Sequence, residues 1–251
     1  MAKHLLLFFT LIISVESGGQ PLNFQRSFLD FFSTGIRINT NGLGINYRKG
    51  VFINRHTRRF YEIEFTTIKD PRTVKFYNPF YIAPEKIFFG KVNDLFDLGF
   101  GYGKQKIIIE KKDKGSLEIR INNSFGPVLA IIKPTYYNVV DRTGTYTFYT
   151  KFTDDLLLQQ VLNMAPFYKG LDEIKPNFGG FYKIGISFEH SKNKNSLSAL
   201  ELGASLTAFI YPIELVYNKK HLFFLNIFID YRLGKFFPQK LRHKKREQTY
   251  K

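Results

Sequence analysis

Apolar and polar residues alternate with a period of two along most of the chain. The pattern is clearest in GIRIN (35–39), LGINYR (43–48), YEIEFT (61–66), LFDLGFGYG (95–103) and LEIRIN (117–122), and it returns in YKIGISFE (182–189), LELGASLTAFI (200–210) and LFFLNIFIDYRLGKFF (222–237). This period is the mark of a strand whose two faces meet different surroundings. It predicts an all-β domain of about eight strands. Asn41-Gly42 predicts a tight hairpin between the first two, and residues 111–115, 192–196 and 217–220 read as further turns. GVFINRHTRR (50–59) reads as a somewhat longer turn. Two connections are long, about residues 69–91 and 139–177. The second contains DDLLLQQVLNM (154–164), whose spacing predicts a short amphipathic helix.

The two faces differ sharply. One carries the charged residues Arg37, Arg48, Glu62, Glu64, Asp97, Glu118, Arg120, Lys183, Glu189, Glu201, Asp230 and Arg232, with polar neighbours such as Asn39, Asn46, Asn122, Ser187, Ser205, Thr207 and Asn226. The other carries Ile36, Ile38, Ile45, Ile63, Phe100, Ile119, Ile184, Ile186, Leu202, Leu225, Ile227 and Ile229, with no charge among them. Alternation by itself is symmetric between a soluble barrel, apolar inside, and a membrane barrel, polar inside. Three features favour the membrane barrel. Gly44, Gly99, Gly101, Gly103, Gly185 and Gly203 lie on the polar face, where a narrow lumen needs room for long charged side chains. That face holds five bases against seven acids although the whole chain is strongly basic, and near-balance is what a confined interior demands. Tyr47, Tyr102, Tyr182, Tyr211 and Tyr231 sit near strand ends, as an interfacial girdle would.

Strand order adds an end-to-end asymmetry. If the strands run alternately up and down from the N-terminus, both long connections fall at one end and the turns at 111–115 and 192–196 at the other, the arrangement of outer-membrane barrels. The first twenty residues, MAKHLLLFFTLIISVESGGQ, have a basic start, an apolar core and small residues near Ser17, the layout of a secretory signal. This divides the chain into a signal peptide (1–17), a barrel domain (18–238) and a basic tail (239–251) expected in the periplasm. The chain has no cysteine, so an exported form is held without disulfides or an N-terminal lipid.

The formal net charge is +16. For an exported chain this points to anionic lipid or polysaccharide, and no helix-turn-helix, zinc-finger or aromatic RNA-binding signature supports nucleic acid. The histidines show no metal-ligand spacing, and Gly99, Gly101 and Gly103 alternate along a strand rather than open a helix, so no cofactor site is expected. FEHS (188–191) puts Glu189, His190 and Ser191 side by side, but strand neighbours point to opposite faces and cannot form one triad. The segments TGTYTFYTKF (143–152) and NMAPFYKGLDEIKPNFGGFYK (163–183) are rich in Tyr, Phe and Lys, which suits either a binding surface for a protein or glycan or a packed barrel rim.

With its signal peptide, GIRINTNGLGINYRKG, FGKVNDLFDLGFGYGKQ, GPVLAIIKPTYY and the closing strands, the chain resembles a small outer-membrane β-barrel protein of the Bacteroidetes type. That family has no assigned activity, so the resemblance implies a fold and a location but no catalytic residues. The expected function is a non-catalytic structural or interaction component of the outer membrane, in contact with its lipid. The alternatives are a barrel enzyme acting on membrane lipid, a narrow channel, and a soluble secreted barrel. Eight strands leave an interior just filled by side chains, which favours a plug over a pore.

Overall fold

The computed structural model describes residues 29–54, 56–73, 75–80, 85–110, 116–141, 144–191 and 195–238. The signal segment, the basic tail and the turn at 111–115 lie outside the described residues, as does most of the turn at 192–196. Thirteen strands are described: β1 (Leu29–Asn39), β2 (Gly42–Asn54), β3 (Thr57–Ile68), β4 (Phe76–Tyr77), β5 (Lys86–Ile87), β6 (Asn93–Ile109), β7 (Glu118–Pro134), β8 (Tyr136–Val140), β9 (Thr147–Lys151), β10 (Val161–Met164), β11 (Lys175–Glu189), β12 (Ser196–Val216) and β13 (Lys219–Pro238). Eight of them close an antiparallel barrel in the order β1-β13-β12-β11-β7-β6-β3-β2. Each of the eight alternating segments lies within, or nearly coincides with, one of these strands.

The pairing register fixes the barrel's shape. A circuit from Asp30 passes through Val51, Arg59, Lys104, Asn123, Ile184, Ala204 and Ile227. It meets β1 again at Thr40, whose amide donates to the Ile227 carbonyl, ten residues further on. Eight strands with that stagger tilt by roughly 40° from the axis and leave an interior that side chains can fill.

Several local expectations are corrected. The first hairpin exists, but its central residues are Thr40 and Asn41, since Asn39 pairs with Gly42. Gly42 serves a different purpose, because a Cβ there would stand 1.7 Å from the Thr67 carbonyl oxygen of β3. In the β12–β13 turn, Asn218 takes the left-handed conformation (φ 58°), which Asn tolerates. Residues 50–59 are not a long turn: β2 and β3 run through them, and Asn54 pairs with Thr57. Residues 154–164 form no α-helix. A 3₁₀ turn over Leu158–Gln160 leads into β10, because Val161 and Met164 pair with Val139 and Tyr137 of β8. Tertiary pairing overrides the helical spacing.

The two long connections share one end of the barrel and fold together there. β4 and β5 form a small ribbon, and β10-β8-β9 a three-stranded sheet. Ile87, Tyr137, Val139, Leu156 and Val161 make a common core with Phe89, Phe152, Leu158 and Met164. The β12–β13 hairpin joins this platform through Val92 N–H to Leu215 O and Tyr217 N–H to Gly90 O, both 2.9 Å.

Candidate functional site: a charged lumen under a loop platform

The inward residues of β1, β2, β3, β11, β12 and β13 bring opposite charges together near mid-barrel. Arg37 meets Glu64 at 2.6 Å and Asp230 at 3.1 Å. Arg48 donates from Nε to Glu62 at 2.7 Å and reaches Glu201 at 3.2 Å. Arg232 meets Glu201 at 2.7 Å and also pairs with Asp230. Lys183 bridges Glu62 and Glu64, and Asn46 donates to Asp230 at 2.8 Å. Four bases thus face four carboxylates. Toward the short-turn end, Arg58 meets Glu189 at 3.1 Å and Glu118 at 3.9 Å, while Arg120 pairs with the same two acids. That group balances two against two.

All twelve charged residues singled out from the sequence therefore point inward. Eleven are buried and Glu64 is half-buried. Asp97 alone among them has no ion pair. Its Oδ1 lacks a hydrogen-bond partner, as do Thr66 Oγ1 and Asn39 Oδ1, and all three residues line a cavity of about 20 Å³. That is room for about one water molecule. Arg58, 1% exposed, was missed because its segment read as a turn. Strict alternation from Phe60 and Glu62 would have found it.

The lumen also contains apolar layers. Ile68, Leu95, Val128, Ala130, Phe181, Phe209, Ile213, Leu215 and Phe224 pack together at the platform end. Phe31, Phe60, Leu197, Ala199 and Phe236 do so at the other. The aromatic rings stack under the cations: Arg48 lies 3.9 Å from the Phe60 centroid, Arg37 4.6 Å from Phe228, and Arg58 4.4 Å from Phe52. The inward glycines accommodate these rings at least as much as charged chains. A Cβ on Gly101 would stand 2.9 Å from the Phe181 ring, and one on Gly103 2.3 Å from Phe60. Glu189 faces this lumen and is engaged by Arg58 and Arg120, whereas His190 is exposed outside, so the FEHS residues do not converge.

The platform is fastened by buried polar groups. Asn78 donates from Nδ2 to the Leu158 and Val161 carbonyls at 2.8 and 2.6 Å, tying the two long connections to each other. The Tyr137 hydroxyl lies 2.5 Å from the Phe88 carbonyl and 2.8 Å from that of Lys91, which share its one proton, and it accepts from Lys91 N–H at 2.9 Å. Glu173 takes hydrogen bonds from Lys151 and Tyr136, which hold its carboxyl below the usual range. Some loop aromatics pack, such as Phe152 against Phe89 and Phe167 against Phe96. Others, including Tyr146, Phe148 and Tyr168, stand in solvent. Among the described residues β9 pairs only with β8, which leaves its outer edge open to them.

The chain matches no protein-family model, and no curated protein is similar to it in sequence. Among solved structures, it is similar over 84% of its length to all but 1% of Ail, the attachment invasion locus protein of Yersinia pestis, at 12% identity and TM-score 0.42. It is similar over 85% to the whole N-terminal β-barrel domain of OprF from Pseudomonas aeruginosa, at 8% identity and TM-score 0.37. Neisserial surface protein A gives 10% identity and TM-score 0.36, over 84% of this chain and 97% of that one. Values this low add nothing to what the strand pairing establishes: a closed eight-stranded barrel with a charged interior and an apolar wall.

Proposed function

We propose that the chain is an outer-membrane β-barrel that acts as a non-conducting anchor, displaying its loop platform for contact with an envelope or external protein or glycan. One observation carries this reading: the faces are inverted relative to a soluble protein. Arg37, Arg48, Arg120 and Asp230 are at most 2% exposed, while Ile36, Leu225 and Ile227 are 65% exposed or more. In water that exterior would leave a continuous apolar belt unsatisfied. In a bilayer it is the expected surface, and barrel closure leaves no unpaired strand edge in hydrocarbon. Tyr47, Tyr61 and Tyr231, all exposed, lie toward the short-turn end of that belt, where an interface would hold them. Cysteine-free export and the Bacteroidetes-type resemblance accord with the same location.

The interaction role rests on the platform. A packed core behind an open edge strand bearing exposed Phe148 and Tyr149 suits strand addition or aromatic contact by a partner. A channel finds less support, since ion pairs and two apolar layers fill the lumen. A lipid-directed enzyme would need convergent nucleophile and base at the rim, and the FEHS residues diverge.

Nitroxide labels test the inversion. In reconstituted vesicles, a label at Ile186 should report lipid-dissolved oxygen, and one at Ser187 should report a packed interior. The same preparation in a planar bilayer should give no discrete current steps. Exchange of the two label environments would overturn the barrel's orientation, and stepwise currents would overturn the sealed lumen.

A further inference from the structure

The outward wall is not uniformly apolar. Beyond the windows first read from the sequence, β2, β3 and β6 carry Lys49, Arg59, Lys104 and Lys106 on their outer faces, all four exposed. The register makes them one patch. Arg59 and Lys104 are direct cross-strand partners, Thr57 pairs with Lys106, and Val51 pairs with Arg59. Lys49 and Lys106 are therefore diagonal neighbours of Arg59, about 7–8 Å away. Like charges directly opposite one another destabilise a sheet. Among the described residues, no carboxylate forms an ion pair with any of the four. Six inward bases, by contrast, are each matched to acids.

The patch has a definite level and a definite side. Lys49 pairs with Tyr61, and Tyr61 with Tyr102, their rings 5.5 Å apart. Lys49 stands level with this pair, and Arg59, Lys104 and Lys106 lie just beyond it toward the short turns. Tyrosine then cation is the order met on passing from hydrocarbon into headgroups. Around the barrel from β6, the outward residues of β7 from Ile119 to Ile131, of β11 from Phe178 to Phe188 and of β12 from Leu200 to Ile210 include no charge.

We infer that the β2–β3–β6 wall binds the phosphate headgroups of anionic phospholipid in the leaflet on the short-turn side. The inference rests on the membrane reading above. The bases lie on the barrel wall, not on turn tips, so they face the leaflet's edge rather than soluble polymer. Lipid phosphate supplies the countercharge that the protein withholds from this patch, and it draws anionic lipid to one side of the barrel.

Spin-labelled lipids test this in phosphatidylcholine vesicles carrying the full barrel. The motionally restricted fraction should favour labelled phosphatidylglycerol over labelled phosphatidylcholine several-fold, and the preference should shrink in high salt. The variant Lys49→Gln/Arg59→Gln/Lys104→Gln/Lys106→Gln should lose most of it. Lys49→Arg/Lys104→Arg/Lys106→Arg should keep it, as should Lys219→Gln/Lys220→Gln at the opposite end. If the four-residue Gln variant does not fold, the salt dependence of the unaltered barrel decides. A restricted fraction without headgroup preference, or a preference that survives neutralisation, overturns the inference and leaves the membrane reading standing. No restricted fraction with either lipid overturns both.

Discussion

Glu62 is the junction of the lumen. Its carboxylate receives Arg48 and Lys183 directly and lies 3.7 and 3.8 Å from Arg37 and Arg232, in a side chain fully withdrawn from solvent. A buried ion pair adds little net stability over an apolar pair, yet removing one partner leaves the other charged and dry. Glu62→Gln should therefore destabilise the barrel by about 3–5 kcal/mol, read as a lower urea midpoint for refolding into vesicles. Adding Arg48→Met should recover part of that loss. Equal losses in the single and double variants would show that Arg48 draws no countercharge from Glu62. The residues of this network are legible from the sequence because each stands one residue from an apolar neighbour, and so on the opposite face of its strand. Their partners were not, since Arg48 and Glu201 are 153 positions apart and meet only across the lumen.

At the scale of elements, strands were far easier to read than connections. A strand declares itself by a repeat that its own neighbours enforce, and a one-residue slip would turn every side chain to the wrong face. The long connections have no such repeat. Residues 154–164 looked helical, but β8 recruits Val161 into pairing while Asn78 captures the Leu158 and Val161 carbonyls. Asn78 is fully buried, so Asn78→Ala leaves those carbonyls short of a donor, a loss of about 1–3 kcal/mol. The expected result is faster amide exchange throughout 75–80 and 158–164, with the barrel strands as protected as before. Exchange that rises equally in β1 and β13 would mean the platform and barrel unfold as one unit.

As a whole molecule, the barrel is a closed ring of strands with different ends and different sides. One end bears a folded platform, the other short turns and both termini of the barrel. One wall carries no outward charge over Phe178–Phe188 of β11 and Leu200–Ile210 of β12, and another carries the basic patch. If the platform is displayed for partners, the open edge of β9 is its most exposed pairing surface. A photo-crosslinking side chain at Phe148 should capture an envelope protein or glycan in native membranes, while one at Phe178 on the barrel wall should capture lipid. Lipid alone at both positions would remove the interaction role and leave a purely structural barrel.

By itself, the sequence determined the alternation, hence the strands, the sorting of charge from hydrocarbon and the near-balance of the inward face. Those properties are local, because a period of two acts between adjacent residues. Only the tertiary structure decided which cation meets which carboxylate, that inward phenylalanines fill the space over inward glycines, and that the loops fold into a platform. It also gathered Lys49, Arg59, Lys104 and Lys106, scattered over three strands, into a single patch. Each of these depends on register and closure, and a ten-residue stagger around eight strands is set by the sum of all pairings rather than by any one segment.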